Sequence, residues 1–169
     1  MTQLSSVDVG TRRELMADLT RALAPGSPEQ LLALFRFYGL PNLTTELGPE
    51  AQDRLLAASL LRAHTETGSD GRVYQPRTDE LAIVFKNRLE AAIQVIDAIT
   101  TALNELGSAR GVHVEAGVAI LPDEADDPVG ALERADQRLL ASDCEPEDAL
   151  EARRARRTQV PASQKLPAR

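Results

Sequence analysis

At 169 residues with a net charge of −7, 43% hydrophobic but only 3% aromatic content, the chain has the length of one domain with a short appendage. Its core must then be built mainly from Leu, Ala, Val and Ile. No apolar run reaches the roughly 18 residues a membrane-spanning helix needs, and no charged-then-apolar leader opens the chain, so a cytoplasmic address is expected. The acidic balance argues against a surface that binds nucleic acid as a whole, and Cys144, being alone, cannot form an internal disulfide.

Residues 1–10 are small and polar and read as a flexible N-terminus. From Thr11 to Leu23 the leucines at 15, 19 and 23 recur every four residues, with Met16 and Ala22 widening the stripe, which predicts an amphipathic helix ended by Pro25-Gly26. The next run, Leu31 to Leu40, admits two readings. Ser27-Pro28-Glu29-Gln30 could cap a helix, whereas the short length, the aromatics and the breaks at Gly39 and Pro41 suit a strand. The strand is taken, in part on a resemblance given below. A helix is expected over Gly48 to Thr65, with Ala51, Leu55 and Ala58 beside Leu56, Leu60 and Ala63.

Thr67 to Gly71 is a turn-rich loop. Beyond it, Arg72 to Pro76 forms a short polar strand, because Pro76 cannot donate to a ladder and Arg77, Thr78 and Asp79 favour reversal. The five apolar residues Leu81 to Phe85 then read as a strand buried on both faces. Asp79 and Glu80 are thereby held at the mouth of a buried strand. Asn87 to Leu106 is the longest expected helix, with Gly107 as its stop. Val112 to Leu121 alternates as a strand, placing Val112, Val114, Ala116 and Val118 on one face and His113 and Glu115 on the other. An acidic loop over 123–127 leads to a helix from Pro128 to Ser142. Residues 146–157 suggest a charged helix, and 158–169 a disordered tail.

Arg77-Thr-Asp-Glu-Leu81 resembles the signature hairpin of the GGDEF family, the diguanylate cyclases, which has two glycines, an acid, a glutamate and a phenylalanine there. The acids match, while the glycines and the aromatic do not. Thr11-Arg12-Arg13 is similar to the Asn-Arg-Arg that commonly opens the family's first helix. The family's first strand carries Asp-x-Asp-Gly-Phe, and Leu47-Gly48 anchors the match so that Arg36 and Tyr38 stand where those acids belong. Gly48 and Asp53 match the turn into the following helix, but Thr44 replaces the Asn that reads guanine together with that Asp. The inhibitory Arg-x-x-Asp would fall at Gly68 to Gly71 and is absent. Gly117-Val118-Ala119 with Leu121-Pro122 matches the segment "Gly-Val-Ala, then Pro". Leu132-Glu-Arg-Ala-Asp-Gln137 matches "leucine, then Arg-Ala-Asp", whereas Leu140 and Asp143 replace the Tyr and the triphosphate-holding Lys that follow.

The resemblance covers about residues 10–143. It implies an α/β (α+β) fold of the nucleotide-cyclase kind, with a βαββαβ core and a mostly antiparallel central sheet flanked by helices. The expected organisation is a flexible stretch over 1–10, a degenerate GGDEF-like domain over 11–143, a charged helical extension over 144–157 and a tail over 158–169. Cyclisation of a nucleotide needs divalent metal on hard carboxylate oxygens. Arg36 cannot ligate metal, and Arg77 and Thr78 put side chains where a ligand would approach glycine backbone. No catalytic residue and no resident cofactor are therefore expected, with Mg2+ only if nucleotide binding survives.

The preferred function is a catalytically inactive regulatory module acting through a protein partner or as a homodimer. One alternative is a non-catalytic sensor of GTP or a cyclic dinucleotide, with Asp53, Asp79, Glu80, Arg36 and Arg77 as candidate nucleotide contacts. A second alternative is an active cyclase with a rearranged site. The plain reading of Asp79 and Glu80 is a solvated turn residue and a surface acid paired with Arg77. His64 and His113 lack partners at metal-ligand spacing, and the acidic loop lacks a calcium-binding rhythm. The arginines at 153–157 suit a helix C-terminus at least as well as a nucleic acid.

Overall fold

The computed structural model describes residues 8–86 and 89–141. Strands β1 (Gly10–Thr11), β2 (Gln30–Tyr38), β3 (Gly71–Arg77), β4 (Glu80–Phe85) and β5 (His113–Leu121) and helices α1 (Arg12–Ala22), α2 (Leu40–Leu47), α3 (Pro49–Thr67), α4 (Leu89–Ser108) and α5 (Pro128–Ala141) follow in the order β1-α1-β2-α2-α3-β3-β4-α4-β5-α5. The strands form one sheet in the order β1-β3-β4-β2-β5. Every pairing is antiparallel except the two-residue β1 against β3, so the expected βαββαβ core and mostly antiparallel sheet are present. Asp143, Cys144 and the expected helix and tail beyond them lie outside the described residues.

Strand periodicity divides the core into two layers. Leu31, Ala33, Phe35 and Phe37 of β2 join Leu81, Ile83 and Phe85 of β4 beneath α2, α3 and α4. Their sequence neighbours Leu32, Leu34, Ala82 and Val84 point the other way, against Leu15 and Leu19 of α1 and Ala131, Ala135 and Leu139 of α5. All six residues of β4 are buried. A strand in the middle of a sheet covered by helices on both faces has no polar side, which is why five apolar residues run consecutively there.

Two local features depart from expectation. Helix α2 was not foreseen. Gly39, at φ +91°, turns the chain sharply off β2, Pro41 fits the first helical turn, and Leu40 and Leu43 drop into the core. Gly107 does not stop α4, which continues to Ser108. A Cβ on Gly107 would lie 2.4 Å from the Val112 carbonyl oxygen, so its smallness serves a close approach, and Gly111 at φ +66° makes the turn.

Helix α1 is fastened at both levels. Thr11 and Glu14 form a reciprocal capping box, with Glu14 Oε2 accepting from Thr11 N at 2.8 Å. The other oxygen of Glu14 accepts from Arg72 of β3 at 2.7 Å, and Arg72 also reaches Asp18, the acceptor for the hydroxyl of buried Tyr74. The Thr11 backbone N–H first, then Arg72 and the Thr11 hydroxyl, hold the Glu14 carboxyl down at about 2, against an ordinary 4.5. A carboxyl whose folded pKa is depressed contributes stability above its unfolded pKa and loses it as pH falls toward the folded one. Acid titration should therefore show Glu14→Gln, which preserves the capping box, flattening the stability profile between about pH 4.5 and 2. Wild type and variant losing stability in parallel across that window would contradict the assignment.

Candidate functional site

The hairpin between β3 and β4 closes on a two-residue turn, Thr78-Asp79, flanked by the pair Arg77 and Glu80. Ahead of it the register shifts between Tyr74 and Arg77, where Pro76 cannot donate to the ladder. The hairpin tip is tied to β2 by the Phe37 N–H, which donates to the Asp79 carbonyl at 2.9 Å. In this register Arg36 stands opposite Glu80 on one side and opposite Glu115 of β5 on the other.

Alternation puts Arg36, Tyr38, Glu80, His113 and Glu115 on the face that carries α1 and α5, beyond the last apolar residues Leu34 and Ala82. There the Arg36 guanidinium donates to Glu80 Oε1 at 2.7 Å through Nη2, and the same nitrogen meets Asp136 Oδ1 of α5 at 2.5 Å. Arg77 Nη1 lies 3.5 Å from Glu80 Oε1, a looser charge contact. Burial opposes the charge on Arg36, but the hydrogen bond to Glu80 and the fields of Asp136 and Glu80 outweigh it and its pKa is raised. Tyr38 stacks on His113 with centroids 4.8 Å apart. Burial first, and the charge of Glu115 second, raise the Tyr38 hydroxyl above its ordinary pKa.

Of the candidate nucleotide contacts, Arg36, Glu80 and Arg77 come together in this network. Asp79 and Asp53 are exposed. Asp53 sits in the first turns of α3, on the helix layer that covers the opposite face of the sheet. Glu80 requires a correction: it is buried, 7% exposed, and its main partner is Arg36 rather than Arg77. A carboxylate at the end of an all-buried strand needs a permanent cation within hydrogen-bond reach, and Arg36 opposite it in register supplies one. Asp136 was missed as a member of this cluster. Its signal was the Arg-Ala-Asp stretch of α5, read only as a mark of resemblance. At the corner of α2 and α3, Thr44 bonds to the Leu40 carbonyl at 3.0 Å and to Gln52.

These residues do not suit a divalent cation. A hard metal needs several carboxylate or carbonyl oxygens converging at about 2.0–2.6 Å, whereas the two converging carboxylates are bridged by a guanidinium. Among the described residues no group of three or more His, Cys, Asp or Glu is arranged to hold a metal.

The chain has the fold of GGDEF domains, a five-stranded sheet with helices on both faces. It is similar to the GGDEF domain of YfiN (TpbB) from Pseudomonas aeruginosa, with TM-score 0.66 and 23% identity over 80% of this chain and 91% of that one. The GGDEF domain of DgcB from Caulobacter crescentus, solved in complex with c-di-GMP, gives TM-score 0.69 at 17% identity, covering 80% and 85% of the two chains. The diguanylate cyclase SiaD from Pseudomonas aeruginosa, solved with its activator SiaC, gives 0.69 at 18% identity, covering 87% of this chain and 56% of that one. No protein-family model matches the chain, and no curated protein does. Among the described residues no helix is long and apolar enough to cross a membrane.

Proposed function

We propose that this chain is a catalytically inactive, GGDEF-like regulatory module of the cytoplasm that acts through a protein partner or as a homodimer in signalling. The observation that carries the reading is the guanidinium of Arg36 lodged between Glu80 and Asp136. A fixed internal cation there neutralises the carboxylates and repels Mg2+, so charge developing on a triphosphate has no metal to meet. That a cyclase with this fold, SiaD, was solved with a protein activator supports a protein partner.

The test is direct. Purified chain incubated with GTP and Mg2+ or Mn2+ should release no cyclic dinucleotide and no pyrophosphate above a protein-free blank. Turnover that scales with protein concentration would overturn the proposal.

A second reading, non-catalytic binding of GTP or c-di-GMP, draws on the exposed Arg77, Asp79 and Asp53 and on the c-di-GMP held by DgcB. A nucleotide at a hundred times its dissociation constant would add about 2.7 kcal/mol of stability, which a thermal-shift screen detects.

A further inference from the structure

Among the described residues, strand β5 is an edge of the sheet, paired only with β2. A long, exposed edge offers a row of unpaired N–H and C=O groups to any other strand. Here side chains from the two flanking helices and from the turn after β5 occupy that row. Asn104 of α4 accepts from Val114 N at 2.8 Å and donates to Val114 O at 2.9 Å, while its second amide hydrogen is used by the Thr100 carbonyl at 2.9 Å. That pair of bonds to one residue is what the facing residue of an antiparallel strand would make. At the other end, Arg138 of α5 donates to Val118 O at 2.5 Å, and Glu124 accepts from Ile120 N at 2.8 Å. Arg138 and Glu124 hold each other through two bonds of 2.7 and 2.6 Å.

The β2–β5 register runs from Gln30 to Tyr38 without a shift, so residues two apart on β5 point their backbone groups the same way. Val114, Ala116, Val118 and Ile120 therefore form the outward row. Ala116, between the two side-chain clamps, has no side-chain partner among the described residues.

We infer that Asn104 and the Arg138–Glu124 pair are a plug that mimics a neighbouring strand and keeps β5 closed to the β5 of a second copy of this chain. The second copy is the occupant that the edge itself favours. With Ala116 opposite Ala116 of the other chain in antiparallel register, Val114 falls opposite Val118, so two of the plugged positions become each other's partners. The same register sets Glu115 opposite Gly117 and His113 opposite Ala119, so no like charges face each other. This inference does not depend on whether the chain turns over nucleotide.

The experiment unplugs the edge with Asn104→Ala and Arg138→Ala together and measures mass in solution against wild type. The double variant should form a species of twice the wild-type mass at high concentration. Adding Ala116→Pro, which removes an outward N–H without touching the β2 ladder, should return it to the wild-type mass. An unchanged mass in the double variant, or a larger species that Ala116→Pro leaves intact, overturns the inference. Should the double variant fail to fold, amide exchange in the wild-type chain decides. The amides of Val114 and Ile120 should exchange severalfold more slowly than that of Ala116, and an Ala116 amide as slow as Val114 would mean the edge is already covered by another strand.

Discussion

Replacing Arg36 by methionine should cost the fold about 3 kcal/mol, the lower end of what removing one partner of a buried ion pair costs. The lower end applies because the Arg36 side chain keeps 21% of its exposure and Asp136 keeps 38%, so water screens part of the interaction. Most of the loss comes from Glu80, left buried with only the looser contact to Arg77. For a chain of this size the melting temperature should fall by roughly 6–12 °C. Glu80→Gln added to Arg36→Met should recover much of the loss, because an amide can be buried at far lower cost than an unpaired carboxylate. Arg36→Lys should fall short of wild type, since a compact, strongly hydrated ammonium loses more on burial between the two carboxylates than the weakly hydrated guanidinium whose Nη2 meets both. If Arg36→Met unfolds within about 0.5 kcal/mol of wild type at pH 7, the change is no larger than an ordinary surface substitution, and the network does not hold Glu80 in place.

The same residue shows what could and could not be read from the chain. That Arg36 is a cation where the GGDEF resemblance wants an acid needs only the alignment. That Glu80 is its partner needs the register of β2 against β4, which no local pattern supplies, because strands this far apart in sequence can slip by two residues without changing which face is buried. Asp136 was harder still, since a helix laid over a sheet meets a particular strand residue only through its angle and offset. The elements were readable where the pattern is strong: α1, the five-residue apolar run of β4, and β5 with its alternation. Helix α2 was hidden by its eight-residue length and by Gly39 and Pro41, which read as strand terminators although together they start a helix. Gly107 carried the opposite ambiguity, because a glycine needed for contact looks in sequence like a glycine needed for a turn.

Gly117→Ala should be strongly destabilising although it adds a single methyl group. A Cβ there would lie 2.0 Å from the Ala135 carbonyl oxygen and 2.9 Å from the Leu139 nitrogen. Both are backbone atoms of α5, so no side chain can rotate away, and relief requires the helix to lift off the sheet. Overpacking of this kind typically costs about 1–3 kcal/mol and occasionally more, and the backbone contacts place this case at or above about 3 kcal/mol. The displacement has a second consequence. Helix α5 also carries Asp136, which faces Arg36, and Arg138, which clamps the Val118 carbonyl and Glu124. Lifting the helix should loosen the ion network and the β5 plug together, so the losses from Gly117→Ala and Asp136→Asn should add to less than their sum when combined. Urea denaturation of the two single variants and the double variant gives that interaction energy. Strict additivity, or a Gly117→Ala variant as stable as wild type, would show that α5 does not couple the sheet to the Arg36 cluster through this contact.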